Sequence, residues 1–141
     1  MDKMILEKIK LTKLKQIKND DGDLFHGLKK TENSYCGFGE VYFSWIKKNS
    51  IKGWKFHKEM TSNLIVPIGE VKFVFYDNFG NYKDFIIGNN DYSRLTVPPN
   101  IWFGFMGISE PTNLVVNIAS IEHDDREIVS KDLSEIKYDW K

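Results

Sequence analysis

Cysteine is almost absent: Cys36 stands alone among 141 residues. One thiol excludes an internal disulfide and a multi-cysteine zinc site. It sits in "SYCGFGE", a small-residue stretch that reads as a turn. Histidine is scarce too, with only His26, His57 and His123. No run approaches the roughly 18 apolar residues of a membrane span, and no apolar segment of signal-peptide type follows Met1. The expectations are therefore a cytoplasmic location and no membrane partner. Net charge is absent as well, since 20 basic residues balance 20 acidic ones. That balance argues against a nucleic-acid partner bound by bulk electrostatics. Five lysines fall between positions 8 and 18, and they read as a solvated strand face. There is no internal repeat, linker or low-complexity segment.

Strand signals are what the chain has. "VYFSWI" (41–46), "GWKFH" (53–57), "NLIVPI" (63–68), "EVKFVFYD" (70–77), "DFII" (84–87), "SRLTV" (93–97), "IWFGFM" (101–106) and "NLVVNIAS" (113–120) are rich in β-branched and aromatic residues. Gly, Asn, Asp or Pro separates most of them. Gly69 marks a sharp bend between two runs. The stretch "KIKLTKLKQI" begins as a strand and then turns ambiguous. "NDDGDLFHGL" carries a turn signal, and the C-terminal stretch is polar with a short helical turn near 130–135. Short strands at close spacing predict an all-β jelly-roll β-barrel. The whole chain, 1–141, reads as a single domain, with a core over about 8–120 and a segment, 121–141, packed outside.

The informative stretch is "IKGWKFHKEMTSNLIVPIGEVKFVFYD". Alternation puts Lys55 and His57 on one face of a strand and Trp54 and Phe56 on the other. Lys72, Val74 and Tyr76 share a face further on, as do Asn113, Val115, Asn117 and Ala119. Facing inward, such residues line a wet pocket. Facing outward, they are ordinary solvent-exposed side chains. The candidate binding set is Lys72, Tyr76, Asn63, Asn117 and Tyr92, around a candidate catalytic pair, His57 and Lys55. Trp45, Trp54, Phe56 and Trp102 are more large apolar surface than one small barrel easily hides, which predicts a homodimer.

"DDGDLFHGLKK", the stretch just quoted, "RLTVPPNIWFGF" and "LSEIKYDW" together resemble the dTDP-4-dehydrorhamnose 3,5-epimerase family, within the RmlC-like cupins. More closely they resemble a short branch found among sugar-biosynthesis proteins. The resemblance runs from about residue 20 to residue 140. It implies an RmlC-like cupin jelly roll, a homodimer, and a nucleotide-sugar substrate of the dTDP-4-keto-6-deoxyhexose type. The chemistry it implies is proton removal beside the C4 ketone, in sugar biosynthesis for cell-surface polysaccharide. The family's base maps onto His57, and Lys55 falls near a family arginine. Metal-binding cupins carry His-x-His, a Glu and a third His. Here those positions hold Lys55, His57, Thr61 or Ser62, and Phe103, so no metal and no cofactor are expected.

Other positions depart from the family. Its active-site tyrosine falls near Val115 or Val116, where there is none, and Tyr76 or Tyr92 are the candidate substitutes. A family arginine falls on Asp21. Asp124 or Asp125 would orient His57. Two readings follow: an epimerase or isomerase, or a non-catalytic sugar- or nucleotide-sugar-binding cupin that has lost the acid.

Overall fold

The computed structural model describes residues 4–141. Among them the only helical segments are single 3-10 turns at Ile5–Lys8 and Leu133–Glu135. The strands are β1 (Lys10–Lys13), β2 (Gln16–Ile17), β3 (Leu24–Phe25), β4 (Glu40–Lys47), β5 (Ile51–His57), β6 (Ser62–Ile68), β7 (Glu70–Tyr76), β8 (Tyr82–Gly88), β9 (Ser93–Val97), β10 (Trp102–Gly107), β11 (Thr112–Ala119) and β12 (Ile128–Ser130). Two five-stranded antiparallel sheets result, ordered β1-β9-β6-β11-β4 and β12-β5-β10-β7-β8; β2 and β3 pair by themselves. From β4 to β11 the chain crosses between the sheets at every connection except the β7–β8 hairpin. That is the jelly roll.

Each sheet buries one face because apolar residues alternate along its strands. Leu64, Val66, Phe73, Phe75, Ile87, Leu95 and Val115 fill the space between the sheets, joined by Ile5 and Leu6 from the first helical turn. Burying one such side chain stabilises the fold by roughly 1.5–3 kcal/mol. The bend at Gly69 has φ +82°, and a Cβ there would lie 2.1 Å from Asn113 Oδ1. That oxygen accepts the Glu70 N–H at 2.8 Å, which ties the β6–β7 corner to β11.

A second apolar cluster lies on the outer face of the second sheet. Trp54, Val74 and Trp102 are covered there by Ile136 and Trp140, with Tyr138 alongside. The Trp54 and Trp140 rings are 5.4 Å apart, and the Lys131 ammonium sits 4.7 Å above Trp102. The C-terminal segment does more than drape over the sheet, because β12 extends it as an edge strand beside β5. Among the described residues no helix is long and apolar enough to cross a membrane.

Candidate active site

A cavity of about 280 Å³ opens where β4, β6 and β11 face β5 and β10. Leu64, Phe103, Phe105 and Val115 form its apolar wall; Tyr42, Ser44, Lys52, Lys55 and Asn117 bring polar groups to it. Strict alternation on β5 would aim Lys52 and Lys55 to opposite faces. The register against β10 shifts between Phe103 and Phe105, and this bulge turns both lysines to the cavity. Lys52 Nζ donates to Ser44 Oγ at 3.0 Å and to the Trp45 carbonyl at 2.6 Å. Lys55 Nζ donates to Ser130 Oγ at 3.2 Å.

His57 ends β5. Its ring stacks on Phe103, centroids 5.9 Å apart, so the imidazole adjoins the cavity without forming its wall. Its Nδ1 is 2.6 Å from Glu127 Oε1, and the two side chains are 12% and 2% exposed. The other Glu127 oxygen accepts the N–H groups of Glu59 (3.2 Å) and Met60 (3.3 Å). Burial pushes the Glu127 carboxyl up, but the bond from His57 and these N–H groups outweigh it and hold it below the usual range. Glu127 therefore stays ionised. With Nδ1–H donated to Glu127, the neutral ring keeps its lone pair on Nε2.

Tyr42 stands on the other wall. It pairs in register with Asn117 across β4 and β11. Its hydroxyl donates to Glu40 Oε1 at 3.0 Å. Burial, the bond to Glu40 and the nearby Glu40 and Glu127 charges push its pKa up to about 12. The phenol is thus held protonated. Asn117 donates through Nδ2 to Ser62 Oγ at 3.3 Å, while its buried Oδ1 has no partner among the described residues. An unpaired acceptor in an apolar cavity is suited to a ligand hydroxyl.

The predicted residues divide sharply. Lys55 and Asn117 line the cavity, and His57 adjoins it. Lys72 and Tyr76 do not: Phe73 and Phe75 take the inner face of β7, which turns both residues outward. There Lys72 lies 5.1 Å from the Tyr138 ring and Tyr76 stacks on Tyr82 at 4.7 Å. Asn63 is buried away from the cavity, donating to the Ser34 carbonyl at 3.0 Å and accepting from Thr96 Oγ1 at 2.6 Å. Tyr92 donates to the His26 carbonyl at 2.7 Å and packs on Phe25 at 4.9 Å, so it pins the β2–β3 hairpin instead of supplying an acid. The orienting carboxylate is Glu127, because β12 pairs Ile128 opposite His57. Asp124 instead holds Arg126, and Asp125 meets His123 on the surface. The tyrosine that lines the cavity is Tyr42, on the strand beside Val115. Its signal was the alternation of Tyr42 and Ser44 with Val41, Phe43 and Trp45. Among the described residues no group of three or more His, Cys, Asp or Glu side chains is placed to hold a metal.

A mostly apolar cavity between jelly-roll sheets, with a few converging polar groups, is a candidate small-molecule site in a cupin. Residues 7–137 match the family described as FdtA: WxcM-like, C-terminal, and the chain belongs to that family. A dTDP sugar isomerase from Desulfovibrio desulfuricans G20 superposes with a TM-score of 0.89 at 30% identity, over 95% of this chain and 91% of that one. QdtA, a sugar 3,4-ketoisomerase from Thermoanaerobacterium thermosaccharolyticum solved with TDP, has a TM-score of 0.75 at 23% identity, covering 88% of each chain. A probable low-salt glycan biosynthesis epimerase, Agl13 of Haloferax volcanii, is 26% identical over 110 residues, 70% of each chain. The fold is the RmlC-like cupin, shared with sugar 3,5-epimerases.

Proposed function

We propose that the chain is a sugar-nucleotide isomerase or epimerase acting on a dTDP-4-keto-6-deoxyhexose, with His57 as the base. One observation carries this reading: a carboxylate-held imidazole adjoins a cavity that also holds a protonated tyrosine and two ammonium groups. The ketone acidifies the neighbouring C–H. His57 Nε2 takes that proton, and the electron pair passes to the ketone oxygen as an enolate. Lys55 stabilises the developing negative charge. Tyr42 is the acid. Proton return to the same carbon from the opposite face gives an epimer. Return at the former carbonyl carbon, with the enediol hydroxyl proton lost, moves the ketone. The dTDP sugar isomerase similarity at 30% identity favours this class.

The reading includes a second copy of the chain on the outer face of β4, where Val41, Phe43 and Trp45 are 39%, 65% and 50% exposed. Lys47 lies at one end of this stripe, and Glu122 lies beside Gly39 at the other. An antiparallel two-fold would bring those charges together twice.

A second reading, a sugar-binding cupin without catalysis, draws on the position of His57 behind Phe103. Proton NMR of candidate 4-keto sugars in heavy water separates the two. A catalyst replaces the proton beside the ketone with deuterium; a binding protein does not.

A further inference from the structure

His57 and Tyr42 stand on different sheets, yet a single short segment reaches the partners of both. Residues 121–127 follow β11 and end at Glu127, which holds His57 Nδ1 at 2.6 Å. Earlier in the same segment, His123 N donates at 3.0 Å to Glu40 Oε1, the oxygen that also accepts the Tyr42 hydroxyl. The segment is pinned at each end. Ser120 N donates to the Thr61 carbonyl at 3.1 Å, and Lys58 N donates to the Glu127 carbonyl at 2.7 Å. Within it, Glu127 N donates to the Asp124 carbonyl at 3.0 Å, and Asp124 Oδ1 accepts Arg126 N at 2.9 Å. Gly39 packs so closely beneath it that a Cβ there would lie 2.0 Å from the carbonyl carbon of Ile121.

We propose that Glu40 is a positioning residue for Tyr42, and that residues 121–127 act as a strap setting the Tyr42 hydroxyl and the His57 ring together. Naming Tyr42 the acid rests on the isomerase reading; the positioning itself does not. The physical effect is twofold. A hydroxyl bonded to a carboxylate has a fixed direction. A phenolate beside that carboxylate would be repelled, so the proton stays on Tyr42 until a substrate group takes it. Glu127 adds to this effect, while Lys52 and Lys55, facing the same cavity from β5, oppose it. The strap joins these effects, because its backbone fixes Glu40 from one side and its last side chain fixes His57.

The test reads Tyr42 directly and uses no sugar, so its outcome is independent of whether the chain is an isomerase. In protein carrying carbon-13 tyrosine, the Tyr42 signal is the one lost in Tyr42→Phe. It should titrate near 12 in the wild-type chain, and its midpoint should fall part of the way toward the ordinary value of 10 in Glu40→Gln, because burial, the largest cause of the rise, stays in place. The His123 amide should exchange at least about tenfold slower than a free amide, although its side chain is exposed. An unchanged Tyr42 midpoint in folded Glu40→Gln would overturn the assignment. If Glu40→Gln fails to fold, the wild-type chain still decides. A Tyr42 midpoint at the ordinary value would overturn the role of Glu40, and an unprotected His123 amide would remove the strap.

Discussion

The two walls of the cavity are held in different ways. The β5 wall carries Lys52, Lys55 and, at its end, His57. It is paired on both sides, by β10 and β12, and its outer face is sealed by the C-terminal tail. The β4 wall carries Tyr42 and Ser44. Among the described residues it pairs only with β11, and it exposes Val41, Phe43 and Trp45 on its back. The chain thus fixes the His57 wall by itself, whereas the Tyr42 wall has residues 121–127 at one end and, among the described residues, no cover behind. A sheet edge with a bare apolar back is where a partner adds most order.

Breaking the His57 wall from behind should have the largest effect on stability. Trp54 is fully buried under Trp140, so Trp54→Ala is expected to cost about 3–5 kcal/mol in denaturant unfolding. Little change would mean that the tail is not a structural cover.

Lys55→Met tests the cavity side of the same wall. It removes a charge but keeps a similar apolar stem. Binding of a dTDP sugar, measured by calorimetry, should weaken about tenfold or more, with unfolding nearly unchanged. Equal affinity would take Lys55 out of the site.

Acid should loosen the His57 side of the cavity. The Glu127 carboxyl is held below its ordinary 4.5, so its contribution is fully present above that pH and is lost as pH falls through the lower folded value. Glu127→Gln should flatten this part of the stability profile. A profile identical to wild type below 4.5 would mean that the His57–Glu127 pair does not contribute to acid stability.

The smallest effect on stability belongs to the back of β4. Phe43→Lys is expected to shift the stability of the monomer by no more than about 0.5 kcal/mol, the usual range for surface changes, apart from what the lost pairing contributes. Light scattering should nevertheless change from a dimer to a 16.5 kDa monomer. A wild-type monomer at micromolar concentration would sink the proposed pairing.

Much of the fold was legible because period-2 alternation and turn residues are local signals. The runs at 63–68 and 93–97, for example, coincide with β6 and β9 to within one residue. Alternation was weaker at the site, because it divides a strand into two faces without saying which is inward. On β7 both faces are largely apolar, and the polar pair Lys72 and Tyr76 belongs to the outer one. Tyr42 is hard to single out because three of the six residues of "VYFSWI" are aromatic, and the resemblance puts its tyrosine on the next strand over. Glu127 was overlooked because the pairing that brings it to His57 is non-local: β12 adds to β5 across about 70 residues of chain, which no sequence window contains. Lys52 was lost to the bulge, which local periodicity cannot foresee.

The central claim is that His57 removes a sugar proton beside a ketone. Its most direct test is the rate at which a dTDP-4-keto-6-deoxyhexose acquires deuterium at the carbon next to C4, followed by proton NMR in heavy water. The wild-type chain should exchange that position. His57→Asn, confirmed as folded, should still bind the sugar nucleotide and lose at least about a hundredfold in rate, the lower end of a positioned general base's contribution. Exchange in His57→Asn as fast as in the wild type, or none in the wild type with a sugar nucleotide bound, would contradict the account.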